Sequence, residues 1–153
     1  MSSGPIDDSA AREQLSALVD GELDPAGATR ACAGWRDDEY RAYGYDFPRP
    51  AVRFAQLEEV VTICRLMWTE AEPSFTGKYF SIEGAAAPPL PDPAPRVCIG
   101  AAGERIGLPL VGRIADMWNS FHFGAEDFAR KLEIVRRSAD QAGRDPDSIE
   151  VST

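Results

Sequence analysis

At 153 residues the chain is long enough to bury about 70% of the surface its unfolded form exposes, and a single domain is the expectation. Hydrophobic residues at 44% and charged residues at 27% exclude wholesale disorder. A formal charge of -9 without a concentrated run of Lys and Arg excludes a nucleic-acid partner, because such binders need a basic face to displace counterions.

The opening, Met1-Ser2-Ser3-Gly4-Pro5-Ile6-Asp7-Asp8, lacks the basic and apolar regions of a signal peptide. Nowhere do about 18 apolar residues follow one another, so no membrane partner is expected and the expected location is the cytoplasm. Residues 1–30 are small, polar, Ala-rich and acidic, with one helix candidate, Ala11 to Leu18, before the turn-like pairs Asp20-Gly21 and Asp24-Pro25. Ala33 to Pro50 reads as a connection rich in glycine, aromatic residues and charge, helical in its middle. The strongest helix is Ala51 to Glu70, where Phe54, Leu57, Val61, Cys64 and Trp68 recur at helical spacing and Val60, Ile63 and Met67 widen the apolar face. A face that wide packs against a sheet or several helices.

Pro73 stops this helix, and Phe75 to Phe80 reads as a short hairpin or a pair of extended pieces around Gly77. Gly84 to Pro95, dense in Ala and Pro, is loop. Arg96-Val97-Cys98-Ile99-Gly100 is an apolar run suited to a strand buried on both faces, and a helix should follow it. Ile114 to Phe121 is strand-like again. Glu126 to Ala142 is an amphipathic helix with Phe128, Leu132, Val135 and Ala139 on one side, Gly143 at its C-terminal cap, and a last strand from Ile149 to Ser152. Strand, helix, strand, helix, strand is the order of an α/β fold with parallel strands.

Gly100-Ala101-Ala102-Gly103-Glu104-Arg105 sits where a strand ends and a helix begins. Free backbone N–H groups and the helix dipole can hold a phosphate there, and small residues let the backbone come close to it. By spacing alone two readings stand, a phosphate site and a tight turn without ligand, since the pattern is neither G-x-G-x-x-G nor a P-loop. Cys32, Cys64 and Cys98 are odd in number and far apart, which predicts no disulfide scaffold or zinc site, and Cys64 on the apolar side of its helix and Cys98 within its strand read as reduced core residues. His122, the one histidine, has no triad-like neighbours and reads as a loop or packing residue. Asp37-Asp38-Glu39 lacks spaced partners for a metal and reads as a solvated helix start.

Six blocks taken together carry a resemblance. Ala33-Gly34-Trp35 with Glu39-Tyr40-Arg41-Ala42-Tyr43-Gly44-Tyr45-Asp46-Phe47-Pro48, Arg53-Phe54-Ala55-Gln56-Leu57-Glu58-Glu59 and Leu66-Met67-Trp68-Thr69-Glu70 come first. Phe75-Thr76-Gly77-Lys78-Tyr79, Ile99 to Arg105 and Ala115-Asp116-Met117-Trp118-Asn119 follow. In order and spacing from about Ala31 to Thr153 they resemble the luciferase-like monooxygenases. The resemblance implies a TIM-type (β/α) barrel, here partial, that binds F420 or alternatively FMN and moves a hydride or activates oxygen at the flavin ring of a small-molecule reaction. It also implies that the backbone of Gly100, Ala101, Ala102 and Gly103, with Glu104 and Arg105 at the start of the following helix, holds the cofactor phosphate. Ala33 and Gly34, in the loop after an earlier strand, would approach the flavin, and Asp116, Trp118 and Asn119 match a strand near the pocket. Met117 stands where the family usually has Gly.

A complete barrel needs eight strands and typically about 250 residues, so the chain reads as part of one, in a domain spanning residues 31–153. Open strand edges and uncovered apolar faces then predict self-association or a complementary chain. The helix after Arg105 carries Gly107, Pro109 and Gly112, which together cost several kcal/mol of helix propensity. Arg12 to Pro25 resembles the opening of anti-sigma factors of the RseA type, which implies a sigma factor as partner of a helical N-terminal segment over residues 1–30. The rival to an oxidoreductase is therefore a binding module acting through that helix.

Overall fold

The computed structural model describes residues 28–31, 37–120 and 124–152. Four parallel strands form one sheet in the order β1-β4-β5-β6: β1 (Ala28–Ala31), β4 (Arg96–Gly100), β5 (Met117–Asn119) and β6 (Glu150–Ser152). Four helices accompany it, α1 (Asp37–Ala42), α2 (Pro50–Thr69), α3 (Gly107–Ile114) and α4 (Ala125–Gln141). A two-stranded antiparallel hairpin, β2 (Phe75–Thr76) and β3 (Ser81–Ile82), follows α2. The alternation of parallel strand and helix is that of a partial (β/α) barrel.

Strand β4 is buried on both faces, as its unbroken apolar run predicts. Val97 and Ile99 enter the main core with Leu57 and Val61 of α2, Leu108 and Val111 of α3, and Val135 and Ala139 of α4. Cys98, on the opposite face, packs with Met117. The wide apolar face of α2 serves two partners. Leu57 and Val61 point to the sheet, whereas Val60 and Ile63 meet Phe80, flanked by Cys64, Met67, Phe75 and Ile82. Burying each such side chain contributes about 1.5–3 kcal/mol, so this second cluster fixes the hairpin on the helix.

The hairpin is shifted from its expected place. Its strands flank Gly77 to Phe80, because the Glu59 carboxylate accepts the backbone N–H groups of Lys78, Tyr79 and Phe80 at 2.8, 2.9 and 2.9 Å and withdraws them from any ladder. The strand-like passage from Ile114 is likewise shorter than expected: Ile114 still belongs to α3 and pairing starts at Met117.

Helix α3 resolves its poor propensity by position. Pro109 sits in the first turn, where a backbone N–H has no helical partner to lose. At Gly112 a Cβ would overlap the Val135 carbonyl oxygen and come within 2.7 Å of Ser138 Cβ, so glycine lets α3 and α4 touch backbone to backbone. Helix α4 ends as predicted, with Gly143 at φ 71°, its N–H on Asp140 O at 2.9 Å and Arg144 N–H on Ala139 O at 2.9 Å.

Strand β1 is not what residues 1–30 lead one to expect. It pairs with β4 from Ala28 opposite Arg96 to Ala31 opposite Ile99, and so straddles the expected boundary at residue 30. The helix candidate Ala11 to Leu18, Cys32, Ala33, Gly34 and His122 lie outside the described residues.

Candidate functional site

Because all four strands run the same way, their C-terminal ends share one rim. Ala31 lies beside Ile99, Gly100 beside Asn119, and Asn119 beside Ser152. The loop of Gly100 to Arg105 leaves this rim and enters α3, so the candidate residues are together at the end of the sheet where parallel α/β proteins build their sites.

The loop is held from behind. Trp118, fully buried and stacked on Phe128 at 5.8 Å and 8°, donates Nε1–H to Ala101 O at 2.9 Å. Lys131 of α4, 8% exposed, donates from Nζ to Ala102 O at 2.9 Å and to Glu104 Oε1 at 3.0 Å. Arg130 adds a 2.9 Å bond from Nη2 to the same Glu104 oxygen. The hydrogen bond from Lys131, then that from Arg130, holds the Glu104 carboxyl below its ordinary range, and Glu104 in turn raises Arg130.

The front of the loop is unclaimed. Among the described residues, no hydrogen bond engages the backbone N–H groups of Gly103, Glu104 and Arg105, and the Arg105 side chain enters no ion pair. A Cβ at Gly103 would meet nothing within 4 Å, and one at Gly100 only Asn119 atoms at 4.0 Å. Neither glycine has a positive φ, so packing and backbone conformation among the described residues do not require them. Ser120, one residue beyond β5, has a buried Oγ with no hydrogen-bond partner among the described residues.

The three residues matched to the strand near the pocket separate. Asn119 is on the rim, donating Nδ2–H to Ser152 Oγ at 3.1 Å. Trp118 faces the helices and reaches the loop through its indole. Asp116 is at the other end of the sheet, accepting from Val97 N–H at 2.8 Å and from Arg65 at 2.9 and 3.0 Å, with Arg144 at 3.8 Å. Burial lowers the Arg144 pKa, an effect Asp116 opposes. This end of the sheet carries stability.

Lys131 escaped the sequence reading, although a signal was present. It lies three residues after Phe128 and four before Val135, on the apolar stripe of its own helix. Cys64 is half-buried, with its thiol pushed up by burial, and Cys98 is buried. Among the described residues no group of three or more His, Cys, Asp or Glu could hold a metal. No described helix is long and apolar enough to cross a membrane. A hollow of 260 Å³ between α2 and the end of α3, lined by Val61, Arg65, Leu66 and Ile114 among others, is formed without the loop.

A parallel sheet feeding a glycine-bearing rim loop into a helix is the arrangement of α/β proteins, (β/α) barrels among them. The model of the luciferase-like monooxygenase family matches residues 31–153, and the chain belongs to that family. It is 36% identical over 112 residues to phthiodiolone/phenolphthiodiolone dimycocerosates ketoreductase of Mycobacterium kansasii, covering 70% of this chain and 29% of that protein. It is 26% identical over 113 residues to F420-dependent glucose-6-phosphate dehydrogenase of Mycolicibacterium gilvum, covering 71% and 33%. A solved F420-dependent secondary alcohol dehydrogenase in complex with an F420-acetone adduct superposes with a TM-score of 0.74 at 21% identity, over 95% of this chain and 44% of that one. The chain spans roughly a third of the length of the curated relatives. Residues 12–30, which carry the anti-sigma resemblance, precede the matched span.

Proposed function

We propose that this chain supplies the phosphate-binding part of an F420-dependent oxidoreductase that transfers a hydride to or from a small-molecule substrate. The single observation that carries the reading is the front of the rim loop. Its N–H groups at Gly103, Glu104 and Arg105 have no partner among the described residues, beside a glycine whose missing side chain leaves open space. An anion at the entrance to α3 would accept from those groups and gain from the helix dipole and the Arg105 cation. Gly100, Ala101 and Ala102 bring the backbone to that point, and Ala33 and Gly34, after β1, would approach the deazaflavin ring. When bound, the cofactor supplies the hydride chemistry; these residues bind and orient it. F420 is preferred to FMN because relatives named for F420 stand on both sides of the comparison, in sequence and in structure. We place the protein in the cytoplasm, as part of an assembly that completes the barrel.

The test is a fluorescence titration of the purified chain with F420 and with FMN, beside Gly103→Asp. A Cβ at this position meets nothing, so the variant should unfold with the wild type while its carboxylate weakens F420 binding at least about tenfold. Equal binding by both proteins would remove the phosphate from this loop.

A further inference from the structure

Lys131 is a buried cation for which binding at the front of the loop has no direct use. Buried lysines are rare unless paired, and this one's ammonium donates to a backbone carbonyl and to a carboxylate of the same loop, Ala102 O at 2.9 Å and Glu104 Oε1 at 3.0 Å. In a planar trans peptide the C=O and the following N–H point in opposite directions. Fixing Ala102 O toward α4 therefore turns the Gly103 N–H away from α4, to the side where it has no partner among the described residues. Trp118 does the same one peptide earlier, through Ala101 O at 2.9 Å.

The second bond matters for charge. Glu104 lies next to Gly103, and a free carboxylate there would repel a phosphate. Lys131 and Arg130, the latter shared with Asp127 at 2.9 Å, draw it to α4 and offset its charge there.

We propose that Lys131 is a positioning residue for the cofactor phosphate, turning the Gly103 amide outward and holding the Glu104 carboxylate away from the anion. This rests on the loop being the phosphate site. The experiment uses the full chain, titrated with F420 and with inorganic phosphate, as wild type, Lys131→Met, Lys131→Gln and the double variant Lys131→Met/Glu104→Gln, with folding followed by circular dichroism. Lys131→Met should weaken F420 binding about tenfold, the scale of one charge-assisted hydrogen bond. Adding Glu104→Gln should recover about threefold of that loss, because the liberated carboxylate is gone. A purely structural lysine gives no such recovery. Lys131→Gln keeps a donor and should fall between wild type and Lys131→Met; it decides the matter alone if the methionine variant does not fold, since wild-type affinity in it overturns the proposal. Binding by wild type with equal binding by Lys131→Met, or a loss that Glu104→Gln leaves untouched, overturns the role of Lys131 and leaves the loop assignment standing. No binding of F420, FMN or phosphate by wild type overturns both.

Discussion

Glu104 is a reporter of how the rim loop is held. Lys131 and Arg130 keep its carboxyl below the ordinary glutamate range. A folded pKa lowered from about 4.3 contributes stability above that value and loses it as pH falls through the depressed one. Resistance to urea should therefore decline from about pH 5 to pH 3, and Glu104→Gln, which does not titrate, should decline less over the same interval. Midpoints that fall in parallel for the two proteins would show that the contacts with α4 add nothing to the folded state. At this scale the sequence showed which residues form the loop but not what holds them. Gly103 and Arg105 announce themselves by type and place. The partners of Glu104 lie 26 and 27 residues further on, and no local pattern marks an indole aimed at Ala101 O or an ammonium aimed at Ala102 O.

Helix α3 is the element where local propensity and packing conflict most openly. Replacing Gly112 by alanine improves helix propensity by about 1 kcal/mol. The new methyl group would also press on Val135 O, on Ser138 Cβ at 2.7 Å and on Ala139 N at 2.9 Å, and overpacking of this kind costs about 1–3 kcal/mol. Two of those neighbours are backbone atoms, which cannot rotate away, so Gly112→Ala should lower unfolding free energy by about 1 kcal/mol net in urea denaturation. A gain in stability would mean that α3 and α4 separate freely. Asp116 makes the complementary case at the far end of the strands. Its loss leaves Val97 N–H without its carboxylate acceptor and Arg65 with the Ile114 carbonyl but no charged partner. Partial exposure discounts the usual charge-assisted value, so Asp116→Ala should cost about 1–2 kcal/mol. F420 affinity should be unchanged, because the carboxylate lies at the opposite end of the sheet from Gly103; a variant that lost affinity at full stability would bring Asp116 into the site.

These cases separate what periodicity reveals from what it hides. The residues of β4 and the length of α2 follow from apolar runs and helical spacing that each segment carries by itself. The hairpin moved because of Glu59, a side chain 19 residues before the first amide it binds. Strand β1, Ala28-Thr29-Arg30-Ala31, has neither alternation nor a buried run, and exists because β4 offers it a parallel edge 68 residues later in the chain.

At the scale of the whole molecule, the governing fact is that the sheet does not close among the described residues. Among the described residues, strands β1 and β6 each pair on one side only, so their other backbone N–H and C=O groups form two edges able to accept further strands. In a complete barrel those groups are paired by closure. The residues of β6, Glu150-Val151-Ser152, are only partly covered. The order of strands and helices made a parallel α/β fold legible, and the barrel class came only with the resemblance that the six ordered motifs carry. Closure depends on strands paired across the whole fold, which no single segment records. Sedimentation velocity of the 16.7 kDa chain should accordingly show species heavier than the monomer, their share rising with concentration. Placing a proline at Val151 should reduce that association, because the residue then lacks a donor and disturbs the edge. A monomer at every concentration, unfolding in one cooperative step, would show that the sheet edges are satisfied within the chain itself.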